Sequence, residues 1–344
     1  LDVLLNLVHR GASGSDPLTG DGAGILIQIP DEFFRAEVGE QLRLPPRGQY
    51  GVGTVFLPPD RSACARLKQV LEDKIVGTGQ RLLGWRDVPV NPDAIGEKAR
   101  ATAPTIQQVF VGSTCADEAT FESKLFVIRK WAERTARESG IPGGHKFYIP
   151  SLSSRTLIYK GLLLSHQLSK FYTDLDDNRF TSAIALVHQR FSTNTFPTWE
   201  LAQPFRLVAH NGEINTIRGN AAWMRAREQL FDGRIFGEEV RHILPTITPG
   251  GSDSAMFDNV AELLMHAGRS LPHVMMMLVP EAWQNDPEMP PHQRAFYEYH
   301  SCLIEPWDGP AAMAFTDGRK VGAILDRNGL RPARWTLTHD GLLV

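Results

Sequence analysis

Three polar stretches fall within residues 188–254: His188–Thr195 (HQRFSTNT), His210–Glu213 (HNGE) and Gly250–Ser254 (GGSDS). The first two each follow an apolar run that reads as a strand. The third opens a segment that reads as a helix, so all three fall where a rigid scaffold presents polar groups. Their residue types answer the needs of a free α-amino acid. A carboxylate wants a planar, two-donor partner, which Arg190 supplies at the end of a buried strand. An ammonium wants a carboxylate, which Asp253 supplies from the first turn of a helix. If a side-chain carbonyl is attacked, its oxygen gathers negative charge and needs fixed donors. The Asn211 amide and the Gly212 N–H sit side by side at what reads as one turn. Each residue also has an ordinary alternative. Asn211-Gly212 would serve as a hairpin turn, Asp253 as a charge at a helix N-terminus, and Arg190 as a buried ion-pair partner.

A second set of small residues, Gly20-Asp-Gly-Ala-Gly24, invites a nucleotide reading and fails on context. A dinucleotide fingerprint needs a strand before it and a helix after it, whereas here a helix precedes and a strand follows. These glycines are expected to let the backbone pass close to a neighbour. Histidines are present, but His292 and His300 are the wrong distance apart for a metal-binding helix motif and no HExxH occurs, which makes a metal hydrolase the weakest reading. Cys64, Cys115 and Cys302 form no CxxC pair, which argues against a disulfide framework and against a zinc ribbon.

Composition bounds the remaining choices. The chain has 344 residues, 42% of them apolar, and 36 basic against 39 acidic residues give a net charge of −3. That is enough apolar material for a sizeable core, and too even a charge balance for a broad nucleic-acid or anionic-lipid surface. The apolar stretch Val274–Val279 is far shorter than the ~20 residues a membrane span requires. The opening LDVLLNLVHRG reads as a helix stopped at Gly11, and the closing GLLV reads as the start of a strand. The expectation is an internal piece of a longer polypeptide.

The elements that must position the polar stretches are an alternation of strands and helices. Strands are expected at 23–29, 50–57, in the LLGW and IQQVFVG segments, at 147–150, 155–159, 181–188 and 205–210, and in a C-terminal meander over 311–316, 320–325 and 334–338. Helices are expected from Asp31 as an N-cap, and near 61–74, 116–139, 217–230, 254–267 and 292–303, with Asn328-Gly329 as a tight turn. Strand clusters before and after helical blocks favour a single α+β layered sandwich over a doubly wound sheet.

HRGA at His9, TGDGAG at Thr19, HQRFSTNTFPTW at His188, LAQPFRLVAHNGEINT at Leu201 and DRNGLRPAR at Asp326 together resemble the glutaminase domain of the glutamate synthase large subunit, over essentially the whole chain. The resemblance implies a class II glutamine amidotransferase with the four-layer αββα sandwich of N-terminal-nucleophile hydrolases, here one domain over 1–344 that is incomplete at both ends. It implies L-glutamine as substrate, hydrolysed to glutamate and ammonia, with the ammonia converting 2-oxoglutarate to glutamate in a downstream synthase domain. It puts Arg190 on the glutamine α-carboxylate, Asp253 on the α-amino group, Asn211 and Gly212 in the oxyanion hole, and Thr193 and Glu213 near the substrate, with His9 and Arg10 supporting the site. FMN and an iron–sulfur cluster are implied for the downstream part and neither for this one. An electron-donor subunit or ferredoxin is the implied partner, and a cytoplasmic location (plastid in a plant or alga) goes with it. The family's nucleophile is a cysteine at the mature N-terminus, whose own amine, with a pKa of about 7.7–8.0, serves as base. No cysteine of this chain matches it, so these residues alone are expected to be inactive. Another class II amidotransferase and a non-catalytic glutamine-binding module remain as alternatives.

Overall fold

The computed structural model describes residues 1–11, 16–189 and 196–344. Arg190 and Thr193 therefore lie outside the described residues, as does Ala12 of the HRGA motif. In chain order the strands are β1 (Ala23–Gln28), β2 (Tyr50–Leu57), β3 (Arg81–Asp87), β4 (Thr105–Gly112), β5 (Tyr148–Ser153), β6 (Thr156–Gly161), β7 (Ala185–Gln189), β8 (Val208–Gly212), β9 (Ala311–Thr316) and β10 (Val321–Leu325). The helices are α1 (Asp2–Asn6), α2 (Asp31–Leu42), α3 (Arg61–Gly77), α4 (Glu97–Ala101), α5 (Glu118–Glu138), α6 (Leu168–Phe171), α7 (Ile217–Glu228), α8 (Asp253–His266), α9 (Leu271–Leu278) and α10 (Pro291–Ser301).

The described strands form antiparallel sheets in the orders β6-β1-β7, β10-β9-β8 and β3-β4-β2-β5. Alternation of side chains across each strand decides what covers each face. Leu26, Ile158 and Leu186 lie opposite one another on one face of the β1 sheet and meet Ala209 and Ala314 of the β8 sheet, so those two sheets stack directly. The other face of the β1 sheet carries Ile25, Ile27, Leu157 and Tyr159, buried with Phe33 and Phe34 of α2. The other face of the β8 sheet carries Val208, Met313 and Phe315 beneath Phe257 and Val260 of α8 and Val274 and Leu278 of α9. The third sheet buries Val55, Leu57, Val109 and Val111 under α3 and α5. The result is the layered α+β arrangement expected from the alternation of segments.

Several boundaries differ from expectation, each for a local reason. Pro30, not Asp31, holds the N-cap position of α2, and the Asp31 carboxylate instead accepts from Arg35 Nε and from the Tyr50 hydroxyl, both at 2.8 Å. Strand β7 starts four residues late because the Ser182 hydroxyl turns the backbone, donating to the Ile184 carbonyl at 2.6 Å and accepting the Gln28 N–H. Strand β8 starts at Val208, not Phe205, because the Asp258 carboxylate takes the N–H groups of Arg206 and Leu207 and bends that segment toward α8. The expected third strand of the C-terminal meander reduces to an isolated Leu337–Leu343 bridge. The glycines near the start do allow close approach: a Cβ at Gly24 would overlap the Gln203 carbonyl oxygen.

Candidate functional site

Strand β8 ends at the mouth of a cavity of about 550 Å³ that opens between β7 and the β8–β10 sheet. His188, Gln203, His210, Asn211, Gly212 and Ser254 are among the residues that line it, and Glu213 and His9 join them at the rim. The backbone fixes the critical donors. Asn211 and Gly212 pair with Ala312 and Ala311, so they are the last residues of a strand and not a hairpin turn, which overturns the turn alternative. Hydrogen bonds in an antiparallel ladder alternate between the two edges of a strand. The Glu213 N–H donates to Pro310 O and the Thr316 N–H to Leu207 O, which places odd-numbered residues of β8 on the β9 side. The Gly212 N–H is therefore turned to the opposite edge, where Gln203 meets His210. Glycine is required at 212: its φ is +151° and a Cβ would overlap the Pro310 carbonyl oxygen.

Gln203 acts on that edge as a substitute strand. Its side-chain oxygen accepts the His210 N–H at 2.7 Å while its amide nitrogen donates to the His210 carbonyl at 3.1 Å. Asp253 is the first residue of α8, with Ser252 as its cap. One carboxylate oxygen accepts the Ile214 N–H at 2.9 Å and the other accepts the Ser254 N–H at 2.7 Å. The helix-terminal role considered for Asp253 is thus real, yet the same carboxylate is tied to the backbone immediately beyond Gly212. The structure brings Asn211, Gly212, Glu213 and Asp253 together.

The electrostatics of the cluster favour neutral imidazoles. Burial pushes His188 down to about 4, with His210 adding to the shift. His210 is also lowered by burial, against the opposing pull of Asp253, with Arg331 lowering it further. His188 Nδ1 and His210 Nε2 are buried with no hydrogen-bond partner among the described residues. His210 and Ser254 stand beside the selected Asn211 and Asp253 without having been selected, and Gln203, between Ala202 and Pro204, stands beside no selected residue. Among the described residues no three His, Cys, Asp or Glu side chains come together as a metal-binding group. Cys64 lies in α3, Cys115 before α5 and Cys302 at the end of α10, a scatter that does not fit the thiolate set of an iron–sulfur cluster.

Comparison with known proteins adds an independent line. The model of the family described as class-II glutamine amidotransferases matches residues 1–344. The chain is 53% identical over 346 residues to the large chain of an NADPH glutamate synthase from Bacillus subtilis, covering 100% of this chain and 22% of that protein. Identity is 47% over 350 residues to the corresponding large chain from Azospirillum brasilense, covering 100% of this chain and 23% of that protein. It is 42% over 347 residues to a ferredoxin-dependent glutamate synthase from Pyropia yezoensis, covering 100% of this chain and 22% of that protein. The chain thus spans about a fifth of the length of these curated relatives. Its stacked antiparallel sheets with flanking helices have the architecture of N-terminal-nucleophile hydrolases.

Proposed function

The chain belongs to the class-II glutamine amidotransferases, and from that premise we propose that it is the glutamine-hydrolysing part of a glutamate synthase. The observation that carries this reading is the meeting of Asn211 and Gly212, at the cavity end of β8, with the Asp253 carboxylate through the Ile214 N–H. In the proposed complex Asp253 holds the glutamine ammonium and Arg190 its α-carboxylate, with Thr193 and Glu213 close by. The Asn211 amide and the Gly212 N–H meet the side-chain carbonyl oxygen. A cysteine thiolate from a segment outside these 344 residues then attacks the carboxamide carbon. As the C–S bond forms, the oxygen takes up negative charge, and those two donors stabilise it without reorganising. Collapse breaks the C–N bond, and the proton that the cysteine's own amine took from the thiol passes to the departing nitrogen, which leaves as ammonia. Water hydrolyses the thioester to glutamate.

In the same reading the ammonia passes to a downstream synthase region of the longer protein, where 2-oxoglutarate is aminated and reduced. FMN and an iron–sulfur cluster belong to that region, and NADPH, NADH or ferredoxin supplies electrons, as the names of the relatives indicate for them. A cytoplasmic location, or a plastid in a plant or alga, belongs to this proposal. No helix among the described residues is long and apolar enough to cross a membrane.

The test is ammonia release from L-glutamine, measured for the longest polypeptide the gene encodes and for the 344-residue polypeptide with Leu1 at its start. Turnover is expected in the first and none in the second. No turnover in the first, or full turnover in the second, contradicts the mechanism.

A further inference from the structure

The end of β8 and the start of α8 are joined by a buried hydrogen-bond chain. Ser254, the second residue of α8, is 2% exposed, and His210 is 3% exposed. His210 Nδ1 lies 2.8 Å from Ser254 Oγ. The Ser254 hydroxyl in turn donates to Asp253 Oδ1 at 3.2 Å. With its proton committed to Asp253, the serine oxygen acts as acceptor toward the imidazole, so His210 carries its proton on Nδ1. Burial keeps that ring neutral. The His210 backbone is held on both its N–H and its carbonyl by Gln203. The links from Gln203 through His210 to Ser254 are hydrogen bonds out of water, where loss of one partner leaves the other unsatisfied, and the last link, to Asp253, is partly buried.

We propose that His210 and Ser254 are positioning residues that set the separation between the Asp253 carboxylate and the Asn211–Gly212 donors. They thereby fix how strongly the pocket prefers an amide bearing an α-amino group over the same amide without one. The inference rests on the glutaminase reading and adds to it a specificity device that acts at a distance from the reacting atoms. A carboxylate held at a fixed reach rewards an ammonium only when the amide oxygen sits on its donors at the same time. Loosening the serine link removes one of the bonds that orient the Asp253 carboxylate and leaves the Ile214 N–H to hold it against the end of β8, so the two ends of the substrate report on each other less tightly.

The test uses the longest polypeptide the gene encodes and two substrates, L-glutamine and glutaramic acid, which is glutamine without its α-amino group. Ser254→Ala removes the hydroxyl with little change in volume. It is expected to lower kcat/KM for glutamine about tenfold, mostly through KM, while changing glutaramic acid less than about twofold. In the background of Asp253→Asn, Ser254→Ala is expected to cost nothing more for glutamine. His210→Asn, whose amide nitrogen takes the place of Nδ1, is expected to retain the preference, and His210→Gln, which mimics Nε2 instead, to lose it. Equal losses on both substrates, or a Ser254→Ala enzyme with the parent's preference, overturn the proposal whatever happens to the unfolding midpoint. A parent enzyme without activity on glutamine overturns the glutaminase reading itself. An active parent with an unaltered Ser254→Ala variant overturns only the positioning role.

Discussion

Helix α8 separates two sets of buried polar groups that behave in opposite ways. Toward α5 lies an ion network. Arg129 pairs with Glu133 at 3.0 Å and with Glu262, and Lys130 donates to the carbonyls of Pro245 and Thr246 at 2.7 and 2.8 Å. Arg206 donates to the Ile149 carbonyl at 2.7 Å, and Asp258 accepts the Leu207 N–H at 2.8 Å. Toward the cavity lie His188, His210, Asn211 and Gly212, with imidazole nitrogens that have no partner among the described residues and a Gly212 N–H turned away from its ladder. Apart from Arg206 Nε, which has no hydrogen-bond partner among the described residues, the charges of the first set are engaged with one another and with backbone, which is what a structural network requires. The second set keeps bonding capacity in reserve at a cavity, which is what a ligand needs. The two sets share one helix, so its packing on one side fixes the geometry on the other.

The largest expected effect breaks the first set. Arg129→Leu leaves Glu262 buried without its cation and Glu133 with only Arg206 at 3.4 Å, and is expected to destabilise the fold by about 3–5 kcal/mol in denaturant unfolding. An effect confined to activity would erase the distinction between the sets. Next, Asn211→Ala is expected to cost about 100- to 1,000-fold in kcat for glutamine. Because Asn211 is exposed at a strand end, its stability cost is expected to stay within about 0.5 kcal/mol.

A smaller effect comes from the buried histidines. Burial pushes His188 and His266 down to about 4, against an unfolded value near 6.5. Between those values the unfolded chain binds protons that the folded chain refuses, so stability is complete above about pH 6.5 and falls as pH drops toward 4. Each group contributes at most about 1.4 kcal/mol per pH unit. Burial moves the Asp258 carboxyl the other way, up to about 6, which offsets part of the fall. The clean readout is therefore a difference: His266→Gln is expected to flatten the loss of the unfolding midpoint below pH 6.5 relative to the parent. The smallest effect belongs to neither set. Asp60 caps α3 by accepting the Ala63 N–H at 2.8 Å, and Asp60→Ala is expected to cost about 1 kcal/mol with activity unchanged.

Much of the scaffold was legible because its signals are local. The run Tyr50–Leu57 is a strand at both expected ends, and α5, expected over 116–139 with acidic residues at its start and Gly140 after its end, runs from Glu118 to Glu138. The choice of Asn211 and Asp253 rested on a different signal, residue chemistry weighed before any geometry was known, whereas Glu213 entered only through the family resemblance. Other features depend on partners far away in the chain. The start of β8 is set by Asp258, and Asn211-Gly212 reads as a turn until β9, a hundred residues later in rough terms, supplies Ala311 and Ala312 as partners. His210, Ser254 and Gln203 carry no signal of their own, since buried polar contacts between a strand and a helix leave no period in the sequence.

The central claim is that one small zwitterion spans Asn211, Gly212 and Asp253. A crystal structure with L-glutamine tests it most directly. The carboxamide oxygen is expected within hydrogen-bond reach of Asn211 Nδ2 and the Gly212 N–H, and the ammonium on the Asp253 carboxylate. Glutamine bound elsewhere, or bound in this cavity with its ammonium remote from Asp253, would contradict it.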